Sequence, residues 1–130
     1  MHKVIASLKY AFLGLRYCFV TQRNMMIHSV IGVLVLIAAR VLQVSWVGFL
    51  FLLTAIFLVL VTETFNTALE KSIDLFTGER NRLAQSAKDI AAGAVLLTSA
   101  YAVIVGLMVL GPPLWTLLLS ILVSIPAAPG

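Results

Sequence analysis

Three long apolar segments, separated by shorter polar ones, dominate the sequence. They are uninterrupted rather than alternating, and each is close to the roughly 20 residues that a helix needs to cross the hydrocarbon core of a bilayer. The segments span residues 25–42, 45–62 and 90–110. The pattern therefore predicts three transmembrane helices.

The first 24 residues follow a different pattern. Apolar residues recur at steps of three and four, as on one face of an α-helix, and Lys9, Arg16 and Arg23 form a basic column beside them. A basic amphipathic helix commonly lies in the membrane interface, with its cations near anionic headgroups. Residues 1–24 therefore predict either such a surface helix or a plain positively charged anchor for the first membrane helix.

An apolar tail follows the third segment. Gly111, Pro112 and Pro113 are predicted to stop or kink the third helix, because proline removes a backbone donor and disturbs the preceding turn. The next twelve apolar residues are short for a full crossing, which leaves an interfacial segment or an extension of the third helix. The predicted organisation is a surface helix (1–24), a membrane domain (25–113) and an apolar C-terminal extension with no assigned role (114–130).

Composition and charge agree with an all-α integral membrane protein. Hydrophobic residues make up 62% of the chain, charged residues 11%, and the mean hydropathy is +1.09, far from the balance of a soluble domain. In the three-helix arrangement eight of the nine lysines and arginines lie on one side, which the positive-inside rule makes cytoplasmic. The net charge of +4 therefore requires no nucleic-acid partner.

The second apolar segment runs directly into the polar stretch VTETFNTALEKSID, which carries a column of acids. Glu63, Asn66, Glu70 and Asp74 follow one another at steps of three and four, so they share one helix face. Stacked carboxylates repel one another, and two arrangements offset this. Nearby lysines and arginines neutralise the acids in a solvated loop, or Glu63 and Glu70 hold a divalent cation and activate a hydroxyl at the lipid surface. For Glu63 the second arrangement is favoured, because an acid at the hydrocarbon boundary is by default a functional candidate.

Lys88 stands where the third membrane helix enters the bilayer. A lysine beside a helix start is suited to binding phosphate, because the helix start itself attracts anions. The alternative is a boundary lysine that extends to the interface, with Asp89 interacting with the helix dipole. Both interpretations stay open from the residues alone.

Taken together, ETFNTALEKSID and AKDIAAGAVLL resemble the signature of the prokaryotic diacylglycerol kinase family, which includes the undecaprenol kinases. The resemblance extends from about Lys3 to Leu110. It implies three membrane helices with an N-terminal surface helix, assembled as a homotrimer whose active sites are shared between protomers. It also implies transfer of the γ-phosphoryl group of MgATP to a lipid hydroxyl, undecaprenol or diacylglycerol, at the cytoplasmic face of the bacterial inner membrane.

The resemblance assigns roles to the acid column. Glu63 would be the catalytic base, Glu70 a ligand of the metal and the nucleotide, and Asn66 and Asp74 their polar neighbours. Gln22 departs from the family, which usually has an acid at that position. An amide oxygen can still ligate Mg²⁺ but contributes no charge, so Gln22 is retained beside Glu70 as a candidate metal ligand.

Seven further residues are implied to contact ATP or the lipid headgroup. They are the phosphate ligands Lys88 and Asp89, the nucleoside-facing residues Glu79, Arg80 and Asn81, and Lys3 and Tyr10 of the surface helix, which would reach the nucleotide or the headgroup.

Two other classes of protein compete with a lipid kinase. In an oligomeric channel or proton-coupled transporter, Glu63 would line the pathway, as intramembrane acids do. Such a pathway should continue polar residues through the bilayer, whereas positions 46–62 offer only Thr54 and Thr62, and the third segment offers Thr98, Ser99 and Tyr101. A purely structural subunit would have no use for acids on one helix face.

The distribution of basic residues predicts the topology directly. In a Cys18→Ala background, a Gly78→Cys variant should react with a membrane-impermeant thiol reagent only from the cytoplasmic side, and a Gln43→Cys variant only from the opposite side. The Cys18→Ala parent is the unlabelled control. Reversed labelling would place the acid column away from cytoplasmic ATP and contradict the kinase interpretation.

Overall fold

The computed structural model describes residues 2–76 and 81–124, with side chains from residue 4 onward. All regular secondary structure in these ranges is helical. The four helices, in chain order, are α1 (His2–Thr21), α2 (Arg23–Val41), α3 (Trp46–Phe76) and α4 (Arg82–Ser124).

Each helix in the described ranges is long and apolar enough to cross a membrane. This property includes α1, in which Val4–Thr21 qualifies by length and composition. The all-helical membrane class predicted from the sequence is therefore confirmed.

Backbone geometry defines both short connections between helices. Gln22 separates α1 from α2 with an extended conformation (φ −100°, ψ 113°), so the two helices do not merge into one. At the other end of α2, Gln43 takes the left-handed conformation (φ 54°), and its N–H bonds the carbonyl of Arg40 at 3.2 Å. That turn reverses the chain, so that α3 packs back against α2.

The core is small and lies where α3 packs between α2 and α4. Its buried centre consists of Ala39, Leu52, Ala55 and Val105. Small residues allow the helices to approach closely, as is usual where lipid provides no hydrophobic driving force between helices. At Gly32, for example, an added Cβ would lie only 2.8 Å from Cγ2 of Ile56. Most large apolar side chains face outward instead, as expected for a protein that lipid surrounds.

The longest helix, α4, differs from the prediction at both ends. It begins at Arg82 rather than near residue 90, because the side chain of Asn81 accepts hydrogen bonds from the N–H groups of Leu83 (2.9 Å) and Ala84 (3.4 Å) and so caps the helix. It also passes through Pro112 and Pro113 to Ser124. Of the two predicted effects, a stop or a kink, the stop was wrong, and residues 114–124 of the tail extend α4.

Candidate active site

The carboxylate of Glu63 is almost fully buried, with 3% of the residue exposed. It lies on α3 beside the start of α2, where the side chains of Asn24 and His28 interact with it electrostatically. Burying a charge is unfavourable unless polar partners or a counter-charge compensate. The two residues of α2 therefore provide part of the environment that keeps a carboxylate at this depth.

Three buried side-chain oxygens at this place lack a hydrogen-bond partner within the described residues. They are Oε2 of Glu63, Oδ1 of Asn66 and Oγ1 of Thr67. Each unpaired buried polar atom costs about 1–3 kcal/mol, so native structures contain few of them. A cluster of three on neighbouring turns of one helix is typical of a site whose partner is a ligand.

Asn66 links the buried and the accessible parts of the acid column. Its Nδ2 donates a hydrogen bond of 3.1 Å to Oε1 of Glu70, which is half-buried one turn further along α3. The bond fixes the orientation of the amide and points its free oxygen away from Glu70. Glu63, Asn66 and Glu70 thus present hard oxygen atoms on one face, as the spacing predicted.

This set of oxygens has the chemistry that Mg²⁺ prefers. A magnesium site needs one or two carboxylates, with the remaining positions filled by water and substrate phosphates. Glu70 provides a carboxylate beside unpaired buried oxygens of Glu63 and Asn66. No group of three histidine, cysteine or acidic side chains close enough to enclose a metal occurs in residues 2–76 and 81–124, so a magnesium ion here would depend on phosphate and water ligands.

Asp74 and Lys88 form an ion pair that ties the end of α3 to the start of α4. Asp74 lies three turns beyond Glu63, past the apolar part of α3, and is exposed. The hydrogen bond from Lys88, together with the charges of Lys88 and Lys71, holds the pKa of Asp74 below its usual range. Neutralisation by a basic neighbour, one of the two predicted arrangements, is therefore what Asp74 adopts.

The remaining predicted residues are spread over the same end of the molecule. Asn81 is exposed and caps α4, and Asp89 is exposed and accepts a hydrogen bond of 2.8 Å from Nε2 of Gln85. Gln22 is half-buried between α1 and α2, and its amide donates to Oγ1 of Thr21 at 3.2 Å. Tyr10 is 71% exposed on α1.

Three predicted residues cannot be placed. Glu79 and Arg80 lie outside the described residues, and for Lys3 the helix is described but the side chain is not.

An apolar groove of about 440 Å³ lies between α2, α3 and α4. His28, which interacts with Glu63, and Ser99, whose buried hydroxyl has no partner in the described chain, are among its few polar lining residues. The groove follows the helices away from Glu63 as far as Leu114. Small residues create much of this space, among them Gly32, Ala55, Ala102 and Gly106.

Sequence reasoning did not assign functional roles to Asn24 and His28. The sequence feature that could have found them is their spacing of four residues, which places both on one face at the start of a mostly apolar helix. Two polar residues on one face of a membrane helix usually face protein rather than lipid. Which acid they would meet could not be read from the sequence, because that depends on how α2 packs against α3.

The ion pair between α3 and α4 gives a measurable consequence. Lys88→Met should raise the pKa of Asp74 toward the ordinary carboxyl value of about 3.9. Because the folded-state pKa is the lower one, the pair contributes to stability at neutral pH, and the contribution disappears as the pH falls through the lowered pKa. Carboxyl ¹³C NMR of the protein in micelles would measure the titration.

Arg82→Gln is the matched control, since it removes a cation from the same part of α4 but leaves Lys88 in place. An unchanged titration of Asp74 in Lys88→Met would show that the pair does not form in solution.

The sequence that forms this site matches a known protein family. Residues 9–110 match the family described as prokaryotic diacylglycerol kinase. A diacylglycerol kinase of Synechocystis sp. is 45% identical over 116 residues, which are 88% of this chain and 66% of that protein, just under two thirds of its length. An undecaprenol kinase of Bacillus subtilis is 31% identical over 114 residues (88% and 93%), and a diacylglycerol kinase of Escherichia coli K12 is 28% identical over 102 residues (78% and 84%).

The matched region contains α2, α3, all of the acid column and the start of α4 with Lys88. It therefore covers the buried Glu63, its partners on α2 and the ion pair between α3 and α4, and the resemblance predicted from the sequence is confirmed. The chain belongs to the prokaryotic diacylglycerol kinase family.

Proposed function

We propose that this protein is an ATP-dependent membrane kinase that phosphorylates the hydroxyl group of a long-chain lipid alcohol. Family membership and the names of its relatives, diacylglycerol kinase and undecaprenol kinase, support the activity. The observation that carries the assignment of the site is the buried Glu63 carboxylate with an unpaired oxygen, next to an apolar groove. The acceptor is an undecaprenol or a diacylglycerol.

A channel or transporter is not supported. The family contains lipid kinases, and the threonines of the membrane part do not line a continuous polar path. Hydroxyls of Thr54, Thr62 and Thr98 each bond a carbonyl of their own helix, at 2.8, 2.9 and 3.1 Å. Thr62 and Thr98 also bond each other at 2.9 Å and so join α3 to α4.

In the proposed reaction Glu63 is the general base. As the acceptor oxygen forms a bond to the γ-phosphorus and the bond from that phosphorus to the β–γ bridging oxygen breaks, Glu63 takes the hydroxyl proton and ADP leaves. Phosphoryl transfer depends mainly on positioning and charge neutralisation. The depth of Glu63 suits this role, because a lipid alcohol presents its hydroxyl at the membrane boundary while ATP arrives from water.

Glu70 and Asn66, with Gln22 as a neutral candidate, are the proposed ligands for Mg²⁺. When bound, Mg²⁺ would neutralise part of the charge on the β- and γ-phosphates. Asn66 orients Glu70 through its 3.1 Å hydrogen bond. Gln22 lies at the start of α2, near Asn24, and could reach the site without adding negative charge.

The remaining nucleotide contacts are proposed for the accessible end of α4 and for α1. Lys88, held by Asp74, would exchange that partner for an ATP phosphate, with Asp89 beside it. The loop residues Glu79, Arg80 and Asn81 would face the nucleoside, and Lys3 and Tyr10 would approach the nucleotide or the headgroup from α1.

The proposed arrangement in the membrane has α1 in the interface and α2, α3 and α4 across the bilayer. Eight of nine basic residues on the Glu63 side support a cytoplasmic site at the inner membrane. Wide apolar surfaces on the three crossing helices leave room for copies of the chain, and a homotrimer with shared sites is the proposed assembly.

The apolar groove is the proposed place for a hydrocarbon chain of the acceptor. Its polar end is next to Glu63 through His28, so a lipid with its hydroxyl at Glu63 could lay a chain along α4. Its volume of about 440 Å³ is within the range of small-molecule pockets. The groove would thus orient the lipid as well as contain it.

The role of Glu63 is tested by Glu63→Gln, which keeps the shape of the side chain and removes the base. We expect transfer of ³²P from γ-labelled ATP to a panel of lipid alcohols to fall on the order of 10²- to 10⁴-fold. Circular dichroism and size-exclusion chromatography would verify fold and assembly.

Thr64→Val is the matched control, because Thr64 is the next residue and its hydroxyl bonds the carbonyl of Leu60 on its own helix at 2.8 Å. Wild-type turnover in a folded Glu63→Gln protein would exclude the base assignment.

The groove is tested by Gly106→Leu. An added Cβ at Gly106 meets no atom within 4 Å, so the longer side chain fills the groove without disturbing the backbone. We expect the apparent KM for long-chain alcohols to rise about tenfold, corresponding to roughly 1.4 kcal/mol, while a short-chain alcohol is affected less.

Ala100→Leu places the same leucine side chain at an exposed position of α4 outside the groove and is the control. Equal effects of both variants on long and short acceptors would show that the groove does not hold the lipid chain.

A further inference from the structure

The last thirteen described residues of α4 are here termed the α4 extension (112–124). Apart from Leu114, which lies at the end of the groove, they have no function in the proposed site. They lie beyond residue 110, where the match to the family ends. Every residue of the extension from Leu114 onward is exposed, including large apolar side chains such as Trp115 (65%) and Leu122 (64%). An exposed apolar helix of this length would be unstable in water, so it requires a non-aqueous partner.

The end of the α2–α3 hairpin marks where the extension leaves the bundle. Arg40 stacks on the rings of Trp46 (5.2 Å) and Phe49 (4.7 Å), a combination of cation and aromatic rings typical of a membrane–water boundary. At the same level α4 passes through Val109, whose Cγ1 would be 3.0 Å from a Cβ added at Gly48. In a straight helix Ser124 would lie about 22 Å past Val109, at 1.5 Å per residue.

Tilting the whole of α4 does not remove the excess. The uncharged stretch from Ile90 to Ser124 would be about 52 Å long as a helix, against a hydrocarbon core of about 30 Å. The apolar parts of α2 and α3 match the core without a large tilt, and α4 packs along α3. The surplus length therefore has to change direction after Leu110.

Pro112 and Pro113 provide the place for that change. Each lacks a backbone N–H, so the carbonyls of Met108 and Val109 lose the helix bonds that those groups would donate. Gly111 precedes them, and an added Cβ there meets nothing within 4 Å. The helix is thus least restrained against bending at the point where it leaves the bundle.

The hydroxyl groups of the extension are arranged for an apolar surrounding. Thr116, Ser120 and Ser124 each bond a carbonyl of the helix itself, at 3.1, 2.7 and 2.8 Å. They recur at steps of four and form one narrow polar stripe, and leucine, tryptophan, isoleucine and valine occupy the rest of the circumference. A seam between two helices needs only a narrow apolar stripe, whereas a helix embedded in lipid is apolar over most of its surface.

We propose that the α4 extension is a membrane anchor that bends at Gly111–Pro113 and lies among the acyl chains of the leaflet opposite the Glu63 site. Its partner is the lipid surface. The inference does not depend on the kinase activity, because no residue of the extension beyond Leu114, where the groove ends, belongs to the proposed site.

Tryptophan fluorescence tests the proposal, since the chain has only two tryptophans. In Trp46→Phe, emission comes from Trp115 alone. In phosphatidylcholine vesicles we expect blue-shifted emission, weak quenching by aqueous acrylamide, and stronger quenching by bromines near the headgroup end of the acyl chains than by bromines near the methyl end. Trp115→Phe, which leaves Trp46 as the boundary reporter, is the matched control.

Two results would overturn the anchor. Red-shifted emission with strong acrylamide quenching would place the extension in water. Weak quenching by both acrylamide and the brominated lipids, to an extent that changes with the protein-to-lipid ratio, would place the extension against a second copy of the chain.

A second measurement does not rely on the tryptophan variants. A nitroxide attached to Val123→Cys in a Cys18→Ala background should be relaxed more by oxygen, which partitions into lipid, than by a water-soluble nickel chelate. Greater relaxation by the nickel chelate would contradict the proposal.

Discussion

Inside a bilayer, a backbone amide or carbonyl that does not bond its own helix has no water to bond instead. This constraint accounts for most of what the chain does between its polar ends. Long continuous helices satisfy their own backbone groups and are therefore favoured. For the same reason most threonine and serine hydroxyls bond carbonyls of their own helices. The constraint also explains how α4 can continue through two prolines, because leaving the helix within lipid would expose many polar groups rather than two.

The polar end of α3 is an exception, because some of its polar groups do not bond their own helix. Glu63, Asn66 and Thr67 are buried with oxygens that lack partners among the described residues, whereas the hydroxyls of Thr54, Thr62 and Thr64 on the same helix bond its own carbonyls. Asn24 and His28 reach the carboxylate from α2, so the site depends on how two helices pack rather than on one motif. Buried polar groups of this kind lower the stability of the fold. They favour binding, because a ligand can form the hydrogen bonds that the folded protein leaves unmade.

The sequence was informative wherever one dominant period or charge bias decided the outcome. Apolar runs predicted the membrane helices, and the steps of three and four placed Glu63, Asn66 and Glu70 on one face of α3. Local signals were insufficient where two effects compete. Two prolines such as Pro112 and Pro113 usually end a helix in water, but a helix in lipid can continue through them. The early start of α4 depended on whether Asn81 acts as a cap. The pairing of Asp74 with Lys88 and the approach of Asn24 to Glu63 depend on contacts between helices, which no single-chain pattern encodes.

The short turn between α2 and α3 has a consequence for how the protein is made. Only residues 42–45 separate the two helices, and the left-handed Gln43 reverses the chain within them. The most extensive packing in this fold is between neighbours in the chain, since α3 packs chiefly against α4 after it and α2 before it. A newly synthesised chain can therefore insert α2 and α3 together as a hairpin, with Gly32 already against Ile56, before α4 has left the ribosome. The polar side chains of Asn24 and Glu63 can then enter the membrane region close to each other, and neither needs to meet lipid alone during assembly.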